Sequence, residues 1–220
     1  MRTIAVLPVK GFASAKRRLT AGLSPAHRRA LAEAMFRDVL VALTQSTELD
    51  GVVVVTAGRR ARAIATEHGV TVVADAERGH SAAGQLGIAA AVQSGAERAL
   101  LVPGDCPALD AREVDRLLSR PVVPPSVLIV PDRHGTGTNA LVLTPPDALA
   151  PSFGPGSCER HAAHARAAGV SPEVVEVPSL ATDIDTPEDL DALEALLAST
   201  DAAAAMTRRL ISSLTLESKC

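Results

Sequence analysis

Short apolar runs alternate with helical stretches along almost the whole chain. The run at residues 51–56 contains four consecutive valines, which is typical of a strand covered on both faces of a parallel sheet. Ser24 and Pro25 mark the start of the first long helix as N-cap and first-turn residue. Further strands are predicted at residues 3–7, 70–74, 99–102, 127–130, 140–143 and 174–177, and helices at 24–46, 59–68, 81–94, 110–119, 157–168 and 186–198. This alternation predicts an α/β fold with a mainly parallel sheet flanked by helices.

Length and composition restrict the possible functions. The 220 residues fit one α/β domain, which we expect at residues 1–199, followed by a tail or a peripheral helix at 200–220. The formal net charge is −3, Trp and Tyr are absent and there are three Phe, so the charge and the stacking platforms typical of nucleic-acid binding are missing. The three cysteines do not form a disulfide framework, and no apolar run is long enough to span a bilayer. We therefore expect a cytoplasmic protein without nucleic-acid or membrane partners.

Acidic residues follow a predicted central strand and recur far downstream. Asp105 comes directly after the strand at 99–102, at the edge where α/β sheets bind ligands. Asp183 and Asp185 are two residues apart, so on an extended segment their side chains share a face. Three such carboxylates could hold a hard divalent cation that works with phosphates. In the alternative interpretation these acids have structural roles only, one as a turn residue and one as a helix N-cap.

The loop after the first strand contains the densest basic patch of the chain. A basic loop at this position can meet the phosphates of a nucleotide, and a glycine there allows close backbone approach. No Walker-type phosphate loop is present. A solvated charged loop is the alternative interpretation. The residues concerned are Lys10, Gly11, Ser14, Lys16, Arg17 and Arg18.

Two stretches in the second half of the chain suit a small anion. Residues 135–140 read Gly-Thr-Gly-Thr-Asn-Ala, which resembles a dinucleotide fingerprint but precedes a strand instead of a helix. This stretch offers backbone and hydroxyl contacts to an anion, or it is a hairpin turn whose glycines supply positive φ. Residues 153–157 precede a predicted helix, where Ser157 is a candidate N-cap beside free amide groups.

Cys158, His161 and His164 are spaced by three residues on the same predicted helix. A zinc site is conceivable there, but structural zinc needs four ligands and the sequence shows no fourth nearby. His161 is otherwise a supporting contact of the anion site or a structural residue.

Five motifs in the same order resemble the phospholactate and phosphoenolpyruvate guanylyltransferases, which make the activated phospho-acid precursor of the deazaflavin coenzyme F-420. The resemblance covers residues 3 to about 197. The motifs are Pro-Val-Lys at 8–10 with Ala-Lys-Arg-Arg-Leu at 15–19, Pro-Gly-Asp-Cys-Pro-Ala-Leu at 103–109, Asp-Arg-His-Gly-Thr-Gly-Thr-Asn-Ala-Leu at 132–141, Phe-Gly-Pro-Gly-Ser at 153–157 and Asp-Ile-Asp-Thr-Pro at 183–187.

The resemblance implies a single-domain fold of the nucleotide-diphospho-sugar transferase type and transfer of GMP from GTP to a phospho-acid, with release of pyrophosphate. GTP is then the co-substrate and Mg²⁺ the cofactor. The resemblance implies that Asp105, Asp183 and Asp185 bind magnesium, and that Asp105 acts in catalysis with Lys10 and Lys16, which contact the triphosphate. It implies acceptor binding by Thr138, Gly154 and Ser157. It also implies nucleotide contacts by Gly11, Arg18 and Gly84.

One stretch departs from the family pattern. Members often begin the third helix with a Gly-Leu-Asn-like sequence, whereas residues 79–85 here read Gly-His-Ser-Ala-Ala-Gly-Gln. Base selectivity is therefore left open, as is the choice among phosphoenolpyruvate, 2-phospholactate and 3-phosphoglycerate.

Rival interpretations are a guanylyl- or cytidylyltransferase of molybdenum-cofactor type and a catalytically silent nucleotide-binding member. The oligomeric state is also open, with a homodimer as the expectation.

Overall fold

Seven strands form one sheet in the computed structural model, which describes residues 1–12, 16, 19, 23–197 and 203–217. The strands are β1 (Thr3–Pro8), β2 (Gly51–Thr56), β3 (Thr71–Ala74), β4 (Arg98–Leu101), β5 (Ser126–Pro131), β6 (Thr138–Thr144) and β7 (Pro172–Val174). The helices are α1 (Pro25–Gln45), α2 (Arg59–Glu67), α3 (His80–Gln93), α4 (Ala111–Leu118), α5 (Ser157–Ala167), α6 (Pro187–Leu197) and α7 (Ala205–Glu217), and a short 3-10 turn lies at Pro178–Leu180. None of these helices is long and apolar enough to cross a membrane.

The strand order is β3-β2-β1-β4-β6-β5-β7, and β6 is the strand that runs antiparallel to both of its neighbours. The other neighbouring pairs are parallel. This sheet confirms the predicted α/β fold with a mainly parallel sheet. The chain adds β2 and β3 on one side of β1 and then β4 on the other side. The order therefore reverses between β1 and β4, which is where open α/β sheets bind ligands.

Alternate residues of the central strands pack against opposite helical layers. On β1, Ala5 and Leu7 face α1, α2 and α4, whereas Ile4 and Val6 face α3 and α5. Burial on both faces explains why this strand is apolar throughout. A Cβ atom at Gly87 of α3 would lie 2.1 Å from the Cγ1 atom of Val6, so glycine is needed for this close approach of helix and sheet.

The first and last described helices pack on each other outside the sheet. The buried carboxylate of Asp38 on α1 accepts the backbone N–H groups of Met206 and Thr207, at 3.0 and 2.8 Å, and so binds the start of α7. A helix was one of the two predicted structures for this part of the chain. The predicted domain boundary at residue 199 falls in the segment 198–202, outside the described residues.

One predicted strand is displaced along the chain. The strand predicted at 174–177 is β7, Pro172–Val174, which pairs with β5 at the edge of the sheet. Val174 is 55% exposed there, whereas the buried Val177 packs from the loop that follows. The apolar pattern predicts which residues are buried. Here the buried valine, Val177, lies in the loop and not in the edge strand. The predicted start of α1 is confirmed, since Ser24 Oγ accepts the N–H of His27 at 3.1 Å.

Candidate active site

A cavity of about 620 Å³ lies at the switch point, along the carboxyl ends of β1 and β4. Its walls come from the loops after these two strands, from the β5–β6 hairpin and from the segments that precede α5 and α6. Because β6 is antiparallel to β4, its first residues lie at the same edge of the sheet. Residues that line the cavity include Lys10, Lys16, His80, Asp105, Asp132, Thr138, Asn139, Phe153, Gly154, Ser157, Asp183 and Asp185.

Lys16 joins the two predicted acidic motifs. Its Nζ atom lies 2.6 Å from Oδ2 of Asp105 and 3.0 Å from Oδ1 of Asp185. The lysine side chain is 7% exposed, so the ammonium group is held inside the site and not in a solvated loop. Burial alone would favour the neutral amine, but the two carboxylates outweigh it and raise the pKa of Lys16 above its ordinary value.

The other residues of the basic loop are placed less centrally. Lys10 lines the cavity. Gly11 packs beside Gly58 and is not among the described residues that line the cavity, so its nucleotide contact stays a prediction. Ser14, Arg17 and Arg18 lie outside the described residues.

A backbone hydrogen bond fixes the two acidic segments beside each other. The N–H of Ile184 donates to the carbonyl oxygen of Asp105 at 3.1 Å, and the Ile184 side chain is buried. Asp183 and Asp185, on either side of it, both line the cavity. Burial, followed by repulsion from Asp105, raises the pKa of Asp183 above its ordinary value. The acidic wall therefore carries a negative charge that a cation would relieve.

The segment with Asp183 and Asp185 is positioned from both ends. Asn139, buried at the start of β6, donates to the carbonyl oxygen of Leu180 at 2.7 Å and to Oδ1 of Asp183 at 3.4 Å. At the start of α6, Oδ2 of Asp189 accepts the N–H groups of Asp185 and Thr186 at 2.9 and 2.7 Å.

Neither Asn139 nor Asp189 was assigned a role from the sequence. A buried Asn at the edge of a ligand site, and an acid three residues after a Thr that precedes a helix, are the signals that could have identified them.

The donor set fits a hard divalent cation, but its geometry is not that of a preformed site. Carboxylate oxygens are the ligands that Mg²⁺ prefers. Among the described residues, however, no three His, Cys, Asp or Glu side chains converge on one point. The ammonium group of Lys16 bonds to two of the three predicted ligands instead, Asp105 and Asp185. The same finding gives no support, within the described residues, to the zinc site considered for Cys158, His161 and His164, and His164 is exposed.

The three residues predicted to bind the acceptor also line this cavity, and we refer to them together as the acceptor wall. Thr138 begins β6, Gly154 belongs to the loop before α5, and Ser157 is the first residue of α5. Gly154 has φ +114°, a conformation that L side chains rarely adopt. This wall offers hydroxyl and backbone groups, in contrast to the charged wall formed by Lys16 and the acids.

Two predicted properties of Ser157 are wrong. The N-cap of α5 is Gly156, with φ 69°, and it makes no side-chain capping bond. The backbone N–H of Ser157 donates to the Gly154 carbonyl at 3.0 Å, and that of Cys158 donates to the Thr136 carbonyl at 3.1 Å. These two amides are therefore used to fold the loop, and the hydroxyl of Ser157 remains as its group for ligand binding.

A smaller cavity of about 150 Å³ adjoins the first one and shares Lys10 and His80 with it. Asp75, Glu77 and Gly79 add to its walls from the segment between β3 and α3. The stretch at 79–85, which departs from the family pattern, therefore borders the site. Burial lowers the pKa of His80 below its ordinary value. His80 also packs edge-on against Phe153, with ring centroids 4.8 Å apart.

Gly84 lies one turn deeper in α3, within the core. A Cβ atom there would lie 3.3 Å from both Leu101 and Pro151. Gly84 is not among the described residues that line either cavity, and its nucleotide contact stays a prediction.

Comparisons with known proteins identify the family of this chain. A family model described as "Guanylyl transferase CofC like" matches residues 3–217. The phosphoenolpyruvate guanylyltransferase of Conexibacter woesei is 49% identical over 216 residues, which cover 97% of this chain and 97% of that protein. A 3-phospho-D-glycerate guanylyltransferase of Colwellia psychrerythraea is 38% identical over 201 residues, which cover 90% of this chain and 94% of that protein.

Solved structures support the fold. A candidate nucleotide-diphospho-sugar transferase from Desulfovibrio desulfuricans superposes with a TM-score of 0.77 over 99% of this chain and 98% of that one. Sequence identity in this pair is 15%, so the likeness establishes the arrangement of helices and strands and not the substrates.

Proposed function

The chain belongs to the CofC-like guanylyl transferase family, and on that premise we propose that it transfers GMP from GTP to phosphoenolpyruvate and releases pyrophosphate. Phosphoenolpyruvate is preferred because the relative that is 49% identical over nearly the full chain is named for it. 2-Phospholactate and 3-phosphoglycerate are the competing acceptors, the latter because other relatives carry that name.

The arrangement of the cavity carries this proposal. We assign the charged lining residues Lys10, Lys16 and the acids to one wall, and the hydroxyl-bearing lining residues Thr138 and Ser157 to the other. A triphosphate with its counter-ion suits the first wall, and a small phosphorylated acid suits the second. Both walls belong to one cavity, so the two substrates can meet between them.

The reaction needs no protein nucleophile. A phosphate oxygen of the acceptor attacks the α-phosphorus of GTP, a new phosphorus–oxygen bond forms, and the bond from the α-phosphorus to the bridging oxygen breaks as pyrophosphate leaves. The attacking oxygen is already anionic, so no general base is required. The remaining tasks of the enzyme are to align the two substrates and to offset their negative charge.

Lys16 is suited to the charge-offsetting task. An ammonium group has three N–H donors, and two of them bond to Asp105 and Asp185. Within the described residues the third has no recorded partner, so it can donate to a phosphate oxygen of GTP. Since the two carboxylates keep Lys16 protonated, it presents a full positive charge to the triphosphate. Lys10 adds a second positive charge from the same loop.

Magnesium is part of the proposal as the cofactor. Asp105, Asp183 and Asp185 would hold it, and when bound it would neutralise phosphate charge and polarise the α-phosphate. The raised pKa of Asp183 supports this assignment, because a buried carboxylate beside another carboxylate gains from a nearby cation.

The proposal extends to the setting of the enzyme. We place it in coenzyme F-420 biosynthesis, as its family membership implies, and in the cytoplasm as a homodimer that binds no nucleic acid. We assign residues 1–199 to the guanylyltransferase domain and residues 200–220 to a C-terminal extension.

A pyrophosphate-release assay tests the proposal. GTP, ATP, CTP and UTP are each combined with phosphoenolpyruvate, 2-phospholactate and 3-phosphoglycerate, with magnesium present. We expect the highest kcat/KM for GTP with phosphoenolpyruvate, and mass spectrometry should detect a guanylylated acid. If no combination releases pyrophosphate above the level without acceptor, the proposed reaction is wrong. If another acid is used with higher kcat/KM, only the acceptor assignment is wrong.

A further inference from the structure

The fully buried imidazole of His161 lies behind the acceptor wall and has a partner at each ring nitrogen. Its Nε2 atom lies 2.8 Å from the backbone nitrogen of Ser152. Its Nδ1 atom lies 3.0 Å from Oγ1 of Thr138. The ring therefore connects the loop before α5 with the first residue of β6, and these are the two elements that carry Gly154 and Thr138.

The hydrogen-bond partners determine the tautomer of His161. A backbone N–H can only donate, so Nε2 accepts from Ser152. Burial, with smaller contributions from Arg160 and His164, lowers the pKa of His161 to about 4. The imidazole is therefore neutral at neutral pH and carries its single hydrogen on Nδ1. That hydrogen is donated to the hydroxyl oxygen of Thr138.

This arrangement sets the direction of the Thr138 hydroxyl. Its oxygen accepts from His161, so its own hydrogen points elsewhere. Within the described part of the chain, His161 is the hydrogen-bond partner recorded for this hydroxyl. Thr138 lines the cavity, so the hydroxyl hydrogen is available to an anionic oxygen inside it.

The same helix also holds the loop that closes the acceptor wall. The guanidinium group of Arg160 donates to the Ser152 carbonyl at 2.9 Å and to the Pro155 carbonyl at 2.9 Å. The loop is therefore attached to α5 by both Arg160 and His161, whereas Thr138 is attached through His161.

We propose that His161 is a positioning residue, which orients the Thr138 hydroxyl as a hydrogen-bond donor to the phospho-acid acceptor. This inference rests on the proposed function, in which Thr138 contacts the acceptor. In this proposal His161 contacts no substrate and acts through the hydroxyl group of Thr138. A purely structural His161 would stabilise the loop and leave acceptor binding unaffected once the protein is folded.

Two substitutions separate the two hydrogen bonds of the ring. The amide of Asn lies at the same distance along the side chain as Nδ1, so His161→Asn can still donate to Thr138. The amide of Gln reaches the position of Nε2, so His161→Gln can still accept from Ser152 but leaves Thr138 without its donor. His164→Asn, three residues along α5 and exposed, is the matched control.

Steady-state kinetics of the full-length variants with GTP and phosphoenolpyruvate test the proposal. We expect His161→Gln to raise the KM for phosphoenolpyruvate about tenfold, the loss of one hydrogen bond to a charged group. His161→Asn should stay close to the wild type in this KM, and the KM for GTP should change in neither variant. Equal changes in the Gln and Asn variants, or a change confined to urea stability, would overturn the proposal.

Thr138→Val provides a second measurement, and the effect of this single variant does not depend on how His161 variants fold. It removes the hydroxyl and should raise the KM for phosphoenolpyruvate by about as much as His161→Gln. The double variant should then show no further increase, because both changes remove the same interaction. Multiplied effects in the double variant would overturn the proposal. A wild-type enzyme that turns over no phosphorylated acid would instead refute the proposed function, and this inference with it.

Discussion

At the scale of single residues, the charge balance around Lys16 is the central feature of the site. Four carboxylates line the cavity, those of Asp105, Asp132, Asp183 and Asp185, and Lys16 bonds to two of them, Asp105 and Asp185. Among the described residues that line the cavity, lysines are fewer than carboxylates, so a substrate-bound cation would offset negative charge there.

The first prediction concerns Asp105. Asp105→Asn keeps the size of the side chain but removes the charge that faces Lys16 and the proposed magnesium ion. We expect kcat to fall by about 10²-fold or more, as when one preorganised electrostatic group is lost. Turnover is measured at saturating magnesium, with the urea midpoint as the check on folding. Asp191→Asn, exposed on α6, is the control, and near-normal turnover by the Asp105 variant would refute the assigned role.

The second prediction concerns Ser157. Because Gly156 is the N-cap, the Ser157 hydroxyl does not cap α5. Ser157→Ala should therefore lower the free energy of unfolding by less than about 1 kcal/mol, the cost of losing a helix N-cap. If its hydroxyl binds the acceptor, the variant should lose about 1 kcal/mol of acceptor binding, a several-fold rise in the KM for phosphoenolpyruvate. The opposite pattern, a stability loss with unchanged KM, would mean that Ser157 has no contact with the acceptor.

At the scale of helices and strands, the cap of α6 fixes the acidic segment. Thr186 and Asp189 exchange hydrogen bonds at the helix start, and Asp189 also forms an ion pair with Arg133 at 2.6 Å. These bonds lower the pKa of Asp189 against the opposing effect of burial, so its carboxylate is charged when it holds the chain at Asp185.

The third prediction follows from this cap. Asp189→Ala should lower the free energy of unfolding by about 1–2 kcal/mol, the cost of losing a helix cap. It should also lower kcat, because the N–H of Asp185 loses its acceptor and the carboxylate of Asp185 is less well placed. Urea unfolding and turnover are measured together, with Asp191→Ala as the matched control on the same helix. A stable variant with full activity would show that the cap does not position the acids.

The sequence predicted correctly the helices and strands whose sequence pattern depends only on neighbouring residues. The valines of β2 and the Ser24 cap of α1 depend on neighbouring residues only, and both are confirmed. β7 was misplaced because an edge strand is exposed, so its residues lack the apolar pattern that a buried strand requires. The cap of α5 was wrong because Gly156 adopts a left-handed conformation, which turns the chain one residue before Ser157.

At the scale of the whole molecule, the sheet order brings distant motifs together. Asp105, Thr138 and Asp185 are far apart in sequence, yet all line one cavity at the reversal between β1 and β4. The sequence could place Asp105 at the correct edge, since this follows from the end of one strand. It could not reveal that Lys16 lies between two acids, or that His161 connects the loop before α5 with β6, because such contacts arise only when separate segments pack.

The last prediction concerns the stability of the whole molecule in acid. His161 has a pKa of about 4 in the folded protein, below the ordinary value of about 6.5 that applies when the chain unfolds. Above pH 6.5 the ring is neutral in both states and its stabilising contribution is complete. As the pH falls from 6.5 to 4, the unfolded chain binds a proton that the folded protein excludes, so the contribution is lost, by about 3 kcal/mol in total.

The measurement is urea unfolding of the wild type and of His161→Asn at pH 7, 6, 5 and 4. Asn does not titrate, so the stability of the variant lacks the pH dependence that His161 contributes but keeps the pH dependence of all other groups. The stability difference between the two proteins should therefore shrink steadily between pH 6.5 and pH 4. A constant difference across this range would mean that His161 takes up protons as readily in the folded protein as in the unfolded chain. In that case the neutral tautomer that directs the Thr138 hydroxyl would not persist in acid.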